Sequence, residues 1–188
     1  GIGGGGGNIV SEIAKLVGRI DFVGANTDLQ ALKTLSKNVK RFSFGEELTH
    51  GLGCGMDAVK GEEASRIEKE RIKNMMQCQD ICILVASLGG GTGSGAAPVF
   101  AEVSRELKNL TLGIFCMPFS FEGEKRKQIA ERALEKLKPI WILEIVIHEL
   151  KLVATFFTLH LARRNAELFP ETFREIGNTA EPNGIGNL

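Results

Sequence analysis

Two glycine clusters hold the residues best placed to do chemistry. The first, GIGGGGGN, runs from Gly1 to Asn8, and the second, GGGTGSG, from Gly89 to Gly95. Glycine lets backbone N–H groups approach an anion without Cβ obstruction. A helix starting at that point adds ~0.3–1 kcal/mol through its dipole. Each hydrogen bond to a charged group adds ~1.5–3 kcal/mol. Glycines inside a regular element cost ~0.5–1 kcal/mol apiece relative to Ala, so both clusters are expected to be turns before helices. Two such turns facing one crevice would hold a di- or triphosphate. Thr92 and Ser94 add hydroxyl donors.

The second cluster continues GGGTGSGAAP, with Ala96 where a phosphate-binding Lys might follow. No Walker lysine is present, so backbone N–H groups and a metal must do the neutralising. Gly1, Gly3 and Gly6 also satisfy G-x-G-x-x-G, with Asp28 about 20 residues further on, the dinucleotide pattern. An NAD-dependent oxidoreductase is therefore an alternative, though it leaves Gly89–Gly95 without a task. Glu122 and Arg126 stand i,i+4 at a helix start, the spacing of an ordinary surface ion pair.

The elements that must position these residues alternate. Asn8 to Gly18 has a helical period, with Asn8 as N-cap and Gly18 as stop. Ile20–Ala25 reads as a strand, Asp28–Ser36 as a short helix and Arg41–Phe44 as a short strand. Gly45–Gly61 reads as loops and Glu62–Gln77 as one helix. Ile81–Ser87 is continuously apolar, as in a strand buried on both faces of a parallel sheet. A helix over Ala96–Leu107, a strand over Thr111–Cys116, a helix over Glu122–Leu137 and a strand over Ile140–Ile147 follow. The alternation implies an α/β fold, a Rossmann-like parallel sheet flanked by helices. Beyond Leu150 a helical stretch gives way to a loose tail with Pro170 and Pro182.

Composition narrows the classes. The 188 residues are 43% hydrophobic and 24% charged, which argues against global disorder. Lys plus Arg (23) balances Asp plus Glu (23), which excludes a generally basic nucleic-acid coat. Cys54, Cys78, Cys82 and Cys116 form no disulfide framework, and with His50, His148 and His160 scattered they make no zinc set; a reduced, cytosolic setting is expected. No N-terminal signal pattern is visible. Ile140–Leu161 is apolar, but Glu144, His148, Glu149, Lys151 and His160 interrupt it, so no membrane span is expected. The chain starts at Gly1 rather than Met, and such a glycine run normally follows a strand. A fragment is expected: a domain over 1–147 lacking its first strand, then a divergent helix and loose tail over 148–188.

The motifs GIGGGGGN, ANTDLQAL (Ala25–Leu32), GEELTHGLGCG (Gly45–Gly55), GGGTGSGAAPV (Gly89–Val99) and PFSFEGEKR (Pro118–Arg126) occur in this order and at this spacing in FtsZ. The chain resembles that bacterial and plastid tubulin-like division GTPase over roughly Gly1–Leu137. The resemblance implies GTP or GDP with Mg²⁺, metal ligands unknown. It implies nucleotide contacts from Gly4, Gly5, Gly6, Gly7 and Asn8, from Asn26, from Gly90, Gly91, Thr92 and Gly93, and from Glu122 and Arg126. Gly51–Gly55 matches the loop near the γ-phosphate, with Cys54, Met56, Asp57 and Ala58 departing from the commoner residues. It also implies a head-to-tail filament of the protein with itself, in the cytoplasm at the division site. Hydrolysis there is completed between subunits. The acidic Asn-x-Asp-x-x-Asp loop that activates water, the second domain and the partner-recruiting tail have no counterpart in these residues, so no catalytic residue is assigned. Val146–Glu149 stands where the family usually reads Ile-Pro-Asn-Asp. A non-catalytic remnant that caps filaments is the remaining alternative.

Overall fold

The structure, a computed structural model, describes residues 1–138 and 143–147. Five strands form parallel pairs: β1 (Phe22–Asn26) with β2 (Val39–Ser43), and β3 (Ile81–Ser87) with β4 (Leu110–Cys116), which pairs in turn with β5 (Leu143–Ile147). Ile2 joins the two groups, bridging Ala25 on one side and Ala86 on the other. Its N–H donates to the Val85 carbonyl at 2.8 Å, and the Ala25 N–H donates to the Gly1 carbonyl at 2.8 Å. The order across the molecule is therefore β2, β1, Ile2, β3, β4, β5. The expected parallel α/β architecture is present.

Seven α-helices lie along the described chain: α1 (Gly3–Leu16), α2 (Leu29–Lys33), α3 (Glu46–Thr49), α4 (Ala58–Ile67), α5 (Lys69–Met76), α6 (Gly91–Glu106) and α7 (Glu124–Leu137). Helix α6 is the hub. Every residue from Gly91 to Ala101 is buried, packed among α1, α4, α5, α7 and strands β3 and β4. One core cluster gathers Phe44, Phe100 and Phe115 with Ile72 and Leu137; the Phe44 and Phe100 rings lie 5.7 Å apart. A second joins Val10, Leu32, Leu35, Val39 and Val85 beneath α1. The cysteines are free: Cys54 is buried, Cys78 exposed, and Cys82 and Cys116 half-buried.

Several elements differ from the sequence reading. Gly89 and Gly90 form the expected turn before a helix, but most of the other cluster glycines are themselves helical. Gly3–Gly7 form the first turns of α1, whose N-cap is Ile2 rather than Asn8, and Gly91–Gly95 begin α6. Tertiary contact overrides propensity here. Helix α1 approaches β3 so closely that side chains on Gly5 and Gly6 would strike Ser87 and the Val85 carbonyl. The Gly45–Gly61 stretch carries α3 and the first turn of α4. The helix expected over Glu62–Gln77 breaks at Glu68, whose carboxylate accepts the Gly45 N–H at 2.6 Å and pairs with Arg71. Strand β3 is covered only over Leu84–Ala86, while Ile81 and Ile83 are 61% and 48% exposed. Ile2 fills its free edge only at that buried end. The expected tail over 148–188 and the apolar stretch beyond Ile147 lie outside the described residues.

Candidate functional site

Helices α1 and α6 begin side by side. A Cβ built on Gly3 would stand 2.9 Å from the Gly93 nitrogen, so the two glycine clusters are in backbone contact. Neither start is capped: Ile2 and Gly90 hold the N-cap positions without a side-chain hydrogen bond. Each first turn leaves orphan N–H groups and roughly +0.5 charge from its helix dipole, and the two starts are neighbours. That arrangement suits an anion.

The glycines of the site divide by their surroundings. Around Gly4 and Gly90 no atom lies within 4 Å of a built Cβ. Gly91 and Gly93 are filled: their Cβ atoms would come 2.7 Å from the Cys54 Cβ and 2.5 Å from the Ser87 carbonyl oxygen. Gly5, Gly6 and Gly7 abut Ser87, Val85 and Leu35 in the same way. Much of the glycine content serves backbone packing, whereas Gly4 and Gly90 have open space beside them.

A crevice beside the first turn of α1 is lined by Gly3, Gly4, Gly7, Ala25, Asn26 and Leu35. Asn26, at the end of β1, is 5% exposed. Its Oδ1 accepts the Asp28 N–H at 3.2 Å, and its side-chain nitrogen has no protein acceptor among the described residues. A buried amide donor aimed into a crevice is a ready contact for a polar ligand. Asp28, the acid of the dinucleotide alternative, spends its Oδ1 on the cap of α2, accepting from Gln30 and Ala31 at 2.8 and 3.1 Å.

Glu122 and Arg126 form an ion pair at 2.6 Å, as their spacing alone suggests. The Phe119 N–H, then Arg126, hold the Glu122 carboxyl below its ordinary value. The pair is also at the rim of the second cluster, since a Cβ on Gly89 would lie 3.4 Å from the Arg126 Cβ. Ser94 is occupied locally, its Oγ accepting the Gly89 N–H at 2.8 Å. Asn8 is exposed in the second turn of α1, away from the buried Gly3–Gly93 contact.

The 51–57 loop is brought against the start of α6, where Cys54 and Asp57 face Gly91. Asp57 caps α4 through the Val59 and Lys60 N–H groups at 2.9 and 3.2 Å. Sequence reasoning missed Thr27, which is 1% exposed and lies 2.7 Å from Thr92, oxygen to oxygen. Its only signal was a hydroxyl between two polar residues at a strand's end. Among the described residues no group of three His, Cys, Asp or Glu side chains is gathered to hold a metal. Nor is any helix there long and apolar enough to cross a membrane.

Comparison with known proteins agrees with this fold. The family profile described as "Tubulin/FtsZ family, GTPase domain" matches residues 1–155. The cell division protein FtsZ of Coxiella burnetii is 45% identical over 138 residues, covering 73% of this chain and 36% of that protein. The FtsZ of Pseudomonas aeruginosa is 42% identical over 138 residues, covering 73% and 35%. The chain thus spans about a third of the length of these curated relatives. Among solved structures, an empty FtsZ dimer from M. jannaschii superposes with TM-score 0.73 at 32% identity, covering 95% of this chain and 49% of that one. GDP-bound CetZ1 from Haloferax volcanii shares the fold, with TM-score 0.72 at 22% identity, covering 97% and 60%. On the profile match, the sequence identities and the shared fold, the chain belongs to the Tubulin/FtsZ family, over its GTPase domain.

Proposed function

We propose that this chain binds GTP or GDP at the joint start of α1 and α6, as the nucleotide-bearing part of a cell-division GTPase. The observation that carries the reading is the contact of Gly3 with Gly93, which sets two uncapped helix starts side by side. First-turn N–H groups around Gly4 and Gly90–Gly93 grip the phosphates. Asn26 donates from the crevice floor. Arg126 supplies a cation at the rim, and Gly5–Gly7 hold α1 against the sheet. Mg²⁺, a small hard cation that favours oxygen ligands, would help neutralise the phosphate charge there.

Copies of the protein stack head to tail in the cytoplasm at the division site, and each hydrolyses GTP with its neighbour's help. Such a heterologous contact propagates into an open filament. Other division proteins join through segments outside these residues. The sequence holds no Asn-x-Asp-x-x-Asp loop, so this chain alone is expected to turn over GTP negligibly. A purified sample faster than a full-length FtsZ control contradicts that. The binding claim is tested by competition against a fluorescent guanine nucleotide. GTP is expected to displace the probe and NAD is not; displacement by NAD, or no binding at all, overturns the reading.

A further inference from the structure

Thr27 stands where four parts of the chain meet. It follows β1 directly and is 1% exposed. Its Oγ1 lies 2.7 Å from Thr92 Oγ1, in the first turn of α6, and 3.3 Å from Cys54 Sγ. Its backbone carbonyl accepts from the Thr49 hydroxyl at 3.2 Å and the Gly53 N–H at 3.3 Å. One residue therefore holds the end of α3, the 51–55 loop and the start of α6 together.

Cys54, Thr27 and Thr92 form a buried row of three groups, each with a single proton to donate. The row has a direction. When Thr92 donates inward, Thr27 accepts from it and donates to the Cys54 sulfur. A phosphate oxygen accepts and cannot donate, so an anion at the start of α6 draws the Thr92 proton outward. Thr92 then accepts from Thr27, and Thr27 accepts from the Cys54 thiol. Two hydroxyls and a thiol rotate, no heavy atom need move, and the sulfur passes from acceptor to donor.

We propose that Thr27 is a positioning residue that orients the Thr92 hydroxyl toward the nucleotide and reports its presence to the 51–55 loop at Cys54. The proposal rests on the nucleotide reading above. It assigns a task to a buried threonine that touches no ligand itself, and it uses a cysteine in the loop where this chain departs from the commoner small residues.

The test uses the full chain, GDP as ligand, and three forms: wild type, Thr27→Val, which keeps the shape without the hydroxyl, and Thr27→Ser, which keeps the hydroxyl. Calorimetry gives GDP affinity, and alkylation by iodoacetamide, resolved by peptide, gives Cys54 reactivity with and without GDP. Thr27→Val is expected to weaken GDP binding about fivefold, the worth of one neutral hydrogen bond. GDP should slow Cys54 alkylation in wild type and Thr27→Ser but not in Thr27→Val. Should Thr27→Val lose its fold by circular dichroism, Thr27→Ala makes the same comparison. Wild-type affinity together with full GDP protection in the hydroxyl-free variant overturns the proposal and leaves the nucleotide reading standing. Equal loss in the Ser and Val variants overturns it as well, by showing a purely structural role. Failure of the wild-type chain to bind GDP overturns both.

Discussion

Gly61 on α4 and Gly91 on α6 meet backbone to backbone: a Cβ built on Gly61 would stand 2.6 Å from the Gly91 carbonyl oxygen. Gly95 extends the same seam against Ala58 and Glu62. The neighbour in this contact is peptide backbone, which cannot swing aside as the end of a flexible side chain can. The seam therefore fixes where the first turn of α6 stands relative to the 51–57 loop.

Gly61→Ala is accordingly expected to destabilise the fold by ~1–3 kcal/mol, the range for overpacking. Urea denaturation followed by circular dichroism would read this as a lower midpoint at unchanged slope. A variant as stable as wild type would show that α4 can withdraw from α6 without loss.

Gly4→Ala should act with opposite signs on stability and binding. Its Cβ would point into open space within α1. Replacing Gly by Ala inside a helix then stabilises by ~0.5–1 kcal/mol. The same methyl group would stand in the path of an anion approaching the first turn. A higher melting temperature with weaker GTP binding is expected; a higher melting temperature with unchanged affinity would remove Gly4 from the site.

Arg126→Ala should weaken nucleotide binding by a few-fold at low salt, with a smaller effect near ~1 M salt, where the Debye length is ~3 Å. It also leaves Glu122 without its cation, so the Glu122 carboxyl, now held below its usual value by the Phe119 N–H and Arg126, should titrate higher. Carboxyl chemical shifts against pH would measure that, and an unmoved Glu122 would mean that the Phe119 N–H alone sets its charge.

The sheet was legible because burial writes itself into sequence. Strand β3 has the bounds its apolar run suggests, Ile81–Ser87, although only Leu84–Ala86 is buried. The glycine clusters were legible as lying at helix starts, but not as helical turns themselves. Their local preference is unfavourable, and what forces the helix is the proximity of Ser87, Val85 and Cys54, far away in sequence. The break at Glu68 was invisible for a like reason, since it depends on a carboxylate reaching Gly45. Thr27 escaped notice because its importance lies wholly in partners at positions 54 and 92.

With every residue from Gly91 to Ala101 enclosed, α6 behaves as a stiff rod whose 16 residues span about 24 Å. Its far end is tied to the sheet, where the Ser104 and Thr111 hydroxyls meet at 2.7 Å. Displacing its first turn therefore disturbs a buried element that α1, α4, α5 and α7 all pack against.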